Sequence, residues 1–316
     1  MSNHWVPSRY TFSAKLLDKG RILYNSYTGA ISLASPEEEE KVQFILAAGI
    51  DHDGRCDLAK DMCESGFLVP SGTKEFERAE ELHQALKAEK SSHLVLLTTE
   101  ACNFRCSYCY QTFAQGMMTE ETIQGLKAHV AQSVQHLEHL SISWFGGEPL
   151  LAYESIIELS DSFLKSCAEN HVSYSADMST NGYFLTKERC KELLKRNVRR
   201  YMITLDGVGE VHDRRRTLVG GSGTYEKIIH QLKEIQELDD SFVIDLRVNF
   251  DEENVEDIPE LLRTLADLFG DDPRFQLLLR PVGRWGGTKD QHIPVCDRTA
   301  SDKHLWSLTE CGVQQG

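Results

Sequence analysis

Three cysteines close together carry the first chemistry in this sequence. They read Cys102-Asn-Phe-Arg-Cys106-Ser-Tyr-Cys109, a C-x3-C-x2-C spacing. Thiols packed this closely along a chain can converge on one small object. A tetrahedral zinc site would need a fourth ligand from elsewhere. A cubane 4Fe–4S cluster has four irons, so three cysteines would leave one iron open for chemistry rather than for electron transfer alone. Three unrelated core thiols would give the same letters, and the spacing by itself leaves these readings open.

Other reactive or ligand-binding side chains sit in short runs further on. Gly146-Gly147-Glu148-Pro149 is one; its glycines let a backbone approach a ligand closely, although a turn opening a helix has the same composition. Ser179-Thr180-Asn181-Gly182, Thr204-Leu205-Asp206-Gly207 and His212-Asp213-Arg214-Arg215-Arg216 are the next. An arginine fork suits a carboxylate, and an arginine run also suits a solvated turn. Arg247-Val248-Asn249 and the run from Arg280 to Gly287 follow. Competing motifs fail. Gly207-Val-Gly209 lacks the third glycine of a dinucleotide loop, and the glycines at 220–223 lack the Gly-Lys-Ser/Thr ending of a P-loop. That glycine run reads as a turn, with Ser222 or Thr224 capping the next helix.

What must position these residues is an alternation of strand and helix. Apolar runs at 94–98, 140–145, 173–178, 201–205, 243–249 and 275–279 read as strands. Between them, Ile123, Leu126, Val130, Val134 and Leu137 mark one helix face, and Ile258, Leu261, Leu262, Leu265 and Leu268 another. The segments 156–167, 187–195 and 224–238 fill the remaining gaps. The fold class is α/β: a partial (β/α)6 TIM-like barrel or an open parallel sheet. In both, ligands gather at the C-terminal ends of strands, which is where the polar runs fall.

Ahead of this region lies a smaller module. Strands are expected at 10–16, 21–25, 30–33 and 66–69, with a hairpin turn at 26–29. Ser35 should cap a helix with Pro36 at its first position, and Val42, Ile45 and Leu46 should form that helix's apolar face. A short helix at 56–65 and a longer one at 73–88 complete a winged-helix-like unit, and the polar stretch near 85–93 reads as a boundary. The expected domains are therefore 1–90, 91–290 and a remainder, 291–316.

Composition sets the outer limits. The chain has 316 residues, 49 of them acidic and 34 basic, for a net charge of −15. That balance argues against binding nucleic-acid backbones. No apolar run approaches the roughly 18 residues of a membrane span. The nine cysteines, with no secretory signal at the start, point to a reducing, cytoplasmic setting rather than a disulfide framework. Cys56, Cys63, Cys167 and Cys190 read as ordinary thiols, the last two on helices.

Taken in order, these motifs resemble the radical S-adenosylmethionine (SAM) superfamily: C-x3-C-x2-C with an aromatic, Tyr108, before the last cysteine, then G-G-E-P, S-T-N-G, T-L-D-G and H-D-x-x-R. The resemblance implies that Cys102, Cys106 and Cys109 ligate a 4Fe–4S cluster whose open iron chelates SAM. An injected electron would then split SAM into methionine and a 5′-deoxyadenosyl radical. It also implies a SAM pocket of Gly146, Gly147, Glu148 and Pro149 (amino group), Thr204 and Arg216 (ribose or carboxylate), Ser179, Asn181 and Asn249, with Tyr108 near adenine.

Within the superfamily, the tightest similarity is to peptide maturases of the SPASM/twitch type, which modify ribosomally made peptides. The expected reaction is hydrogen abstraction from a precursor peptide, followed by a thioether or carbon–carbon cross-link. The leader would bind to the N-terminal module as an added edge strand, and the acidic chain would attract a basic leader. Flavodoxin or ferredoxin would supply electrons. One departure stands out: beyond the barrel only Cys296 and Cys311 remain, so the chain reads as lacking most of the SPASM extension, with these two as part of a bridge to it. The alternatives are an anaerobic sulfatase-maturating, formylglycine-forming enzyme, and a peptide- and SAM-binding protein without turnover.

Overall fold

The computed structural model describes residues 4–16, 20–51, 56–87, 90–287 and 290–315. The chain divides into two compact units, Met1–Glu89 and Lys90–Gly316. The boundary stretch expected at 85–93 includes residues 88 and 89, which lie outside the described residues.

In the first unit the elements are β1 (His4–Pro7), β2 (Thr11–Lys15), β3 (Arg21–Asn25), β4 (Ile31–Ala34), α1 (Glu39–Ala48), β5 (Ile50–Asp51), α2 (Asp57–Glu64), β6 (Leu68–Pro70) and α3 (Glu75–Lys87). They form two three-stranded antiparallel sheets, β2-β3-β4 and β5-β1-β6. Leu23, Val42, Ile45, Met62, Phe67 and Leu68 make the core. The short strands β1 and β5 had no alternation long enough to announce them. The helix start also differs from expectation. Ser35 and Pro36 sit in a turn, and α1 begins three residues later, capped at Glu38. The Glu38 carboxylate accepts from Ser35 N and Oγ, both at 2.9 Å. The Ser-x-x-Glu pair closes this turn instead of opening the helix.

The second unit runs β7 (Ser91–Thr99), β8 (Phe104–Cys106), α4 (Glu120–Ser133), β9 (His139–Gly146), α5 (Tyr153–Glu169), β10 (Ser173–Thr180), α6 (Lys187–Lys195), β11 (Val198–Thr204), α7 (Glu210–Arg215), β12 (Arg216–Leu218), α8 (Tyr225–Gln236), β13 (Val243–Phe250), α9 (Ile258–Phe269), β14 (Phe275–Pro281) and α10 (Arg298–Gln315). Six of these strands form one parallel sheet in chain order, β7-β9-β10-β11-β13-β14. Parallel neighbours need a crossover, and helices provide it each time. This six-stranded parallel α/β unit agrees with a partial (β/α)6 barrel, one of the two arrangements that the alternation left open.

Register shows why it folds this way. Leu96, Trp144, Met178, Tyr201 and Ile244 stand beside one another across five strands. All are buried, and Trp144 stacks on Phe163 of α5. The alternating residues Ser179, Met202, Thr204, Arg247 and Asn249 take the other face. Helix caps follow local sequence at Thr119 and Thr186, whose hydroxyls accept from Thr122 N and Arg189 N. At α8 neither Ser222 nor Thr224 caps through its side chain. Asp213 does so from α7, accepting from Thr224 N (2.6 Å) and Tyr225 N (2.8 Å). The stretch 291–316, expected as a bridge, carries α10, which packs on α9 and β14; Leu308 joins the core there and Cys311 packs against it. Among the described residues no helix is long and apolar enough to cross a membrane.

Candidate functional site

The C-terminal edge of the sheet is built around two glycines. Gly147 N donates to Thr99 O at 2.8 Å and Glu148 N donates to Ala101 O at 2.9 Å, so the turn after β9 lies against the chain leaving β7. A Cβ on Gly146, at φ +138°, would sit 2.2 Å from Thr99 O. One on Gly147 would sit 2.3 Å from the carbonyl oxygens of Glu100 and Ala101. No side chain fits at either position. The two glycines thereby set the path of the loop that carries the cysteines.

That loop is held from its other side by a strand pair too short to show any periodicity. β8 and β12 run antiparallel, with Cys106 opposite Arg216. Cys109 N donates to Cys106 O (3.1 Å), and Phe104 N donates to Cys102 Sγ (3.3 Å). Cys102, Cys106 and Cys109 all line one cavity of about 220 Å³. Burial pushes the Cys106 thiol up to about 11, against the pull of Arg216, and raises Cys102 as well. Thiols of this kind ionise on binding a soft, strongly charged metal centre.

The donor set tests which centre fits. Among the described residues no group of three His, Cys, Asp or Glu side chains is arranged to hold a single metal ion. Zinc needs its donors on one point. A cubane spreads its thiolates over separate irons, which suits three thiols spaced around a cavity. Arg216 fits an anionic ligand: it is buried, it lines the cavity, and its Nε has no partner.

Beneath the loop lies a polar hub. The Tyr108 hydroxyl donates to the Asp206 carboxylate and accepts from Arg216 Nη1 (2.8 Å) and Asn249 Nδ2 (3.0 Å), which uses its full bonding capacity. Asp206 Oδ1 accepts from Asn249 N (3.1 Å), and Asp206 O accepts from Asn254 Nδ2 (2.8 Å). Asp206 N donates to His212 Nδ1 (3.2 Å), which assigns the imidazole proton to Nε2, facing Thr224 Oγ1 at 3.2 Å. Burial first, then Arg216 and Arg215, hold His212 well below the ordinary histidine range. The arginine run is not a surface turn: only Arg214 is exposed, while Arg215 is buried and forks onto Asp251 at 3.1 and 2.6 Å.

Of the pocket residues expected from sequence, Tyr108, Gly146, Gly147, Ser179, Asn181, Thr204, Arg216 and Asn249 line the cavity. Glu148 and Pro149 are not in its lining. The Glu148 carboxylate, 0% exposed, accepts from Leu150 N (3.0 Å), Thr180 Oγ1 (2.7 Å) and Asn181 N (2.7 Å). It braces the loop after β10, and burial raises it above the usual carboxylate range. Sequence reasoning assigned no role to Asp206 or Met202, and the Arg247-Val-Asn249 run that it placed beside the adenosine does reach the cavity lining at both ends. An acid immediately after an apolar strand was the available signal for Asp206.

The sequence model of the Radical SAM superfamily matches residues 96–265. The chain is 24% identical over 229 residues to the radical SAM cyclopropyl synthase TigE of Paramaledivibacter caminithermalis, covering 62% of this chain and 48% of that one. It is 24% identical over 150 residues to a cysteine-type anaerobic sulfatase-maturating enzyme of Clostridium novyi, covering 45% and 39%. The chain thus spans about half or less of the length of these relatives. Among solved structures, Streptococcus suis SuiB bound to its precursor peptide SuiA matches 98% of this chain and 70% of its own, with a TM-score of 0.52 at 15% identity. SuiB bound to S-adenosylmethionine matches with a TM-score of 0.51 at 14% identity. These likenesses concern the fold.

Proposed function

The chain belongs to the radical SAM superfamily, which uses a 4Fe–4S cluster and S-adenosylmethionine, and from that premise we propose that it modifies a ribosomally made peptide. Cys102, Cys106 and Cys109 hold the cluster in this reading, and the cavity they share with Arg216 and Asn181 is the observation that carries it. The chemistry supplied by the bound pair is reductive cleavage of SAM to a hydrogen-abstracting 5′-deoxyadenosyl radical, with the electron from a flavodoxin or ferredoxin.

The chain's own residues do the rest. Arg216, fixed by Tyr108, meets the carboxylate of SAM's methionine. Asn181 is oriented by donating to Asn103 Oδ1 at 2.8 Å, and presents its amide beside Cys102. Ser179, Thr204 and Asn249 line the same cavity along the sheet face, and the Gly146–Gly147 turn borders it. Phe145, Phe113 and Trp285 complete a largely apolar wall that keeps water from a reactive intermediate.

Support for the peptide class comes from the likeness to SuiB, which spans nearly the whole chain, and from the N-terminal unit. There β4 is an outer strand of its sheet, able to add a leader peptide by backbone pairing. Anaerobic incubation of the reconstituted protein with SAM, reductant and a candidate precursor peptide is the test. A cross-link lowers the peptide mass by two hydrogen atoms. The second reading, favoured by the sulfatase-maturating relative, gives an aldehyde that a hydrazide probe captures. SAM cleavage with neither product would contradict both and leave a binding protein.

A further inference from the structure

The side chains lining the cavity include two arginines, Arg216 and Arg247, and no aspartate or glutamate. This is unusual for a chain with 49 acidic residues and a net charge of −15. Arg216 bonds directly to the Tyr108 hydroxyl of the hub under the thiols. Arg247 reaches that hub only through Asn249. It is half-buried on β13, its Nε donates to Asn249 Oδ1 at 2.8 Å, and its Nη1 lies 3.9 Å from Met202 Sδ. No ion pair to a carboxylate engages it among the described residues.

Three arginines of this unit show what a matched one looks like: Arg200 forks onto Asp245 at 2.6 and 2.7 Å, Arg215 onto Asp251, and Arg274 onto Asp272. Arg247 lines the cavity without such a fork. A second unmatched arginine stands next to it. Asn249 pairs with Arg280 in the parallel register of β13 and β14, so Arg280 emerges on the sheet face that Asn249 and Arg247 share. Burial and then the like charge of Arg280 act against the charge on Arg247, with Tyr108 and Asp206 acting for it. Arg247 lines the cavity and Arg280 is exposed beside it at the cavity's edge; two adjacent guanidinium groups without a carboxylate partner are stabilised by an anion that spans them.

We propose that Arg247 and Arg280 form a carboxylate subsite on the substrate side of the cavity, which receives an acidic group of the peptide: a Glu or Asp side chain, or a terminal carboxylate. The proposal rests on the peptide reading above. Arginine suits the task because its planar fork matches a carboxylate bidentately and stays charged when partly buried. The subsite would bring an acidic residue of the substrate beside the thiol-lined space, and thereby select which neighbouring position faces the radical.

The test uses the full chain, reconstituted and saturated with SAM, with three fluorescein-labelled pentapeptides followed by anisotropy. One is Gly-Ala-Glu-Ala-Gly with an amidated end; one is its Gln counterpart, amidated; the third is the Gln counterpart with a free carboxyl end. At least one carboxylate peptide should bind about tenfold or more tightly than the amidated Gln peptide, the size of a charge-assisted pair. The peptide that does so names the source of the carboxylate. In Arg247→Gln the ratio should fall to near one, and Arg247→Lys should keep part of it. Should Arg247→Gln fail to fold, Arg280→Gln at the exposed neighbour decides by the same ratio. An undiminished ratio in the variants, or no discrimination by the parent protein, overturns the subsite. If no pentapeptide binds, N-acetylglutamate against N-acetylglutamine separates the two ideas. Arg247-dependent preference for the glutamate keeps the subsite and counts against a peptide substrate; no preference overturns the subsite.

Discussion

Glu148→Gln separates two roles that the same residue could play. In the structure its carboxylate is sealed from solvent and accepts three hydrogen bonds, from Leu150 N, Thr180 Oγ1 and Asn181 N. An amide can keep the two bonds made by one oxygen. Its NH2 must then face Asn181 N–H, donor against donor. Losing a charge-assisted bond and stranding a buried donor costs about 3 kcal/mol. Removing a buried charge, whose cost is seen in the raised carboxyl, returns about 1 kcal/mol. The net is about 2 kcal/mol, which for a unit of this size lowers Tm by about 4–8 °C. Asn181 bonds to Asn103 in the cysteine loop, so the disturbance reaches the thiols. Calorimetry of the metal-free protein reads the first effect, and iron uptake on reconstitution reads the second. An unchanged Tm together with a large loss of SAM affinity would refute the bracing role and place the carboxylate on SAM's amino group.

Other outcomes follow from the same geometry. Tyr108→Phe removes a hydroxyl that joins Asp206, Arg216 and Asn249. It should cost about 3 kcal/mol in urea unfolding, because three buried groups lose a partner at once. Gly147→Ala places a methyl 2.3 Å from two backbone oxygens; the cysteine loop must move, and both melting temperature and iron content should fall. His212 is held well below its unfolded value, so the unfolded chain binds the extra proton first. Its contribution to stability is therefore present above about pH 6.5 and lost as pH falls below it, by up to about 1.4 kcal/mol per pH unit. His212→Asn should flatten that part of the Tm–pH curve, and an equal slope in the variant would exclude His212 as its source.

Much of this was legible before the coordinates. The six sheet strands were, because each is a β-rich apolar run bounded by polar turns, and so was the gathering of polar runs at their ends. What escaped is mostly non-local. β8 and β12 are three residues each and exist through pairing across more than a hundred positions. Asp213 caps α8 from α7, a job that local sequence assigned to Ser222 or Thr224. Ser35 donates twice to the Glu38 carboxylate, yet the helix starts after this turn. Glu148 belonged to a motif that resemblance ties to SAM, while its surroundings tie it to a loop. The arginine run left a surface turn and an anion site equally open, and burial with Asp251 and Tyr108 distinguishes them.

The central claim is that three thiols and one cavity hold a cluster and SAM together. Anaerobic reconstitution with iron and sulfide, followed by reduction and electron paramagnetic resonance with and without SAM, tests it most directly. The expected result is about four irons per chain, a reduced-cluster signal that shifts when SAM is added, and loss of both when Cys102, Cys106 and Cys109 are replaced by alanine. One zinc per chain and no iron, with the three cysteines intact, would contradict it.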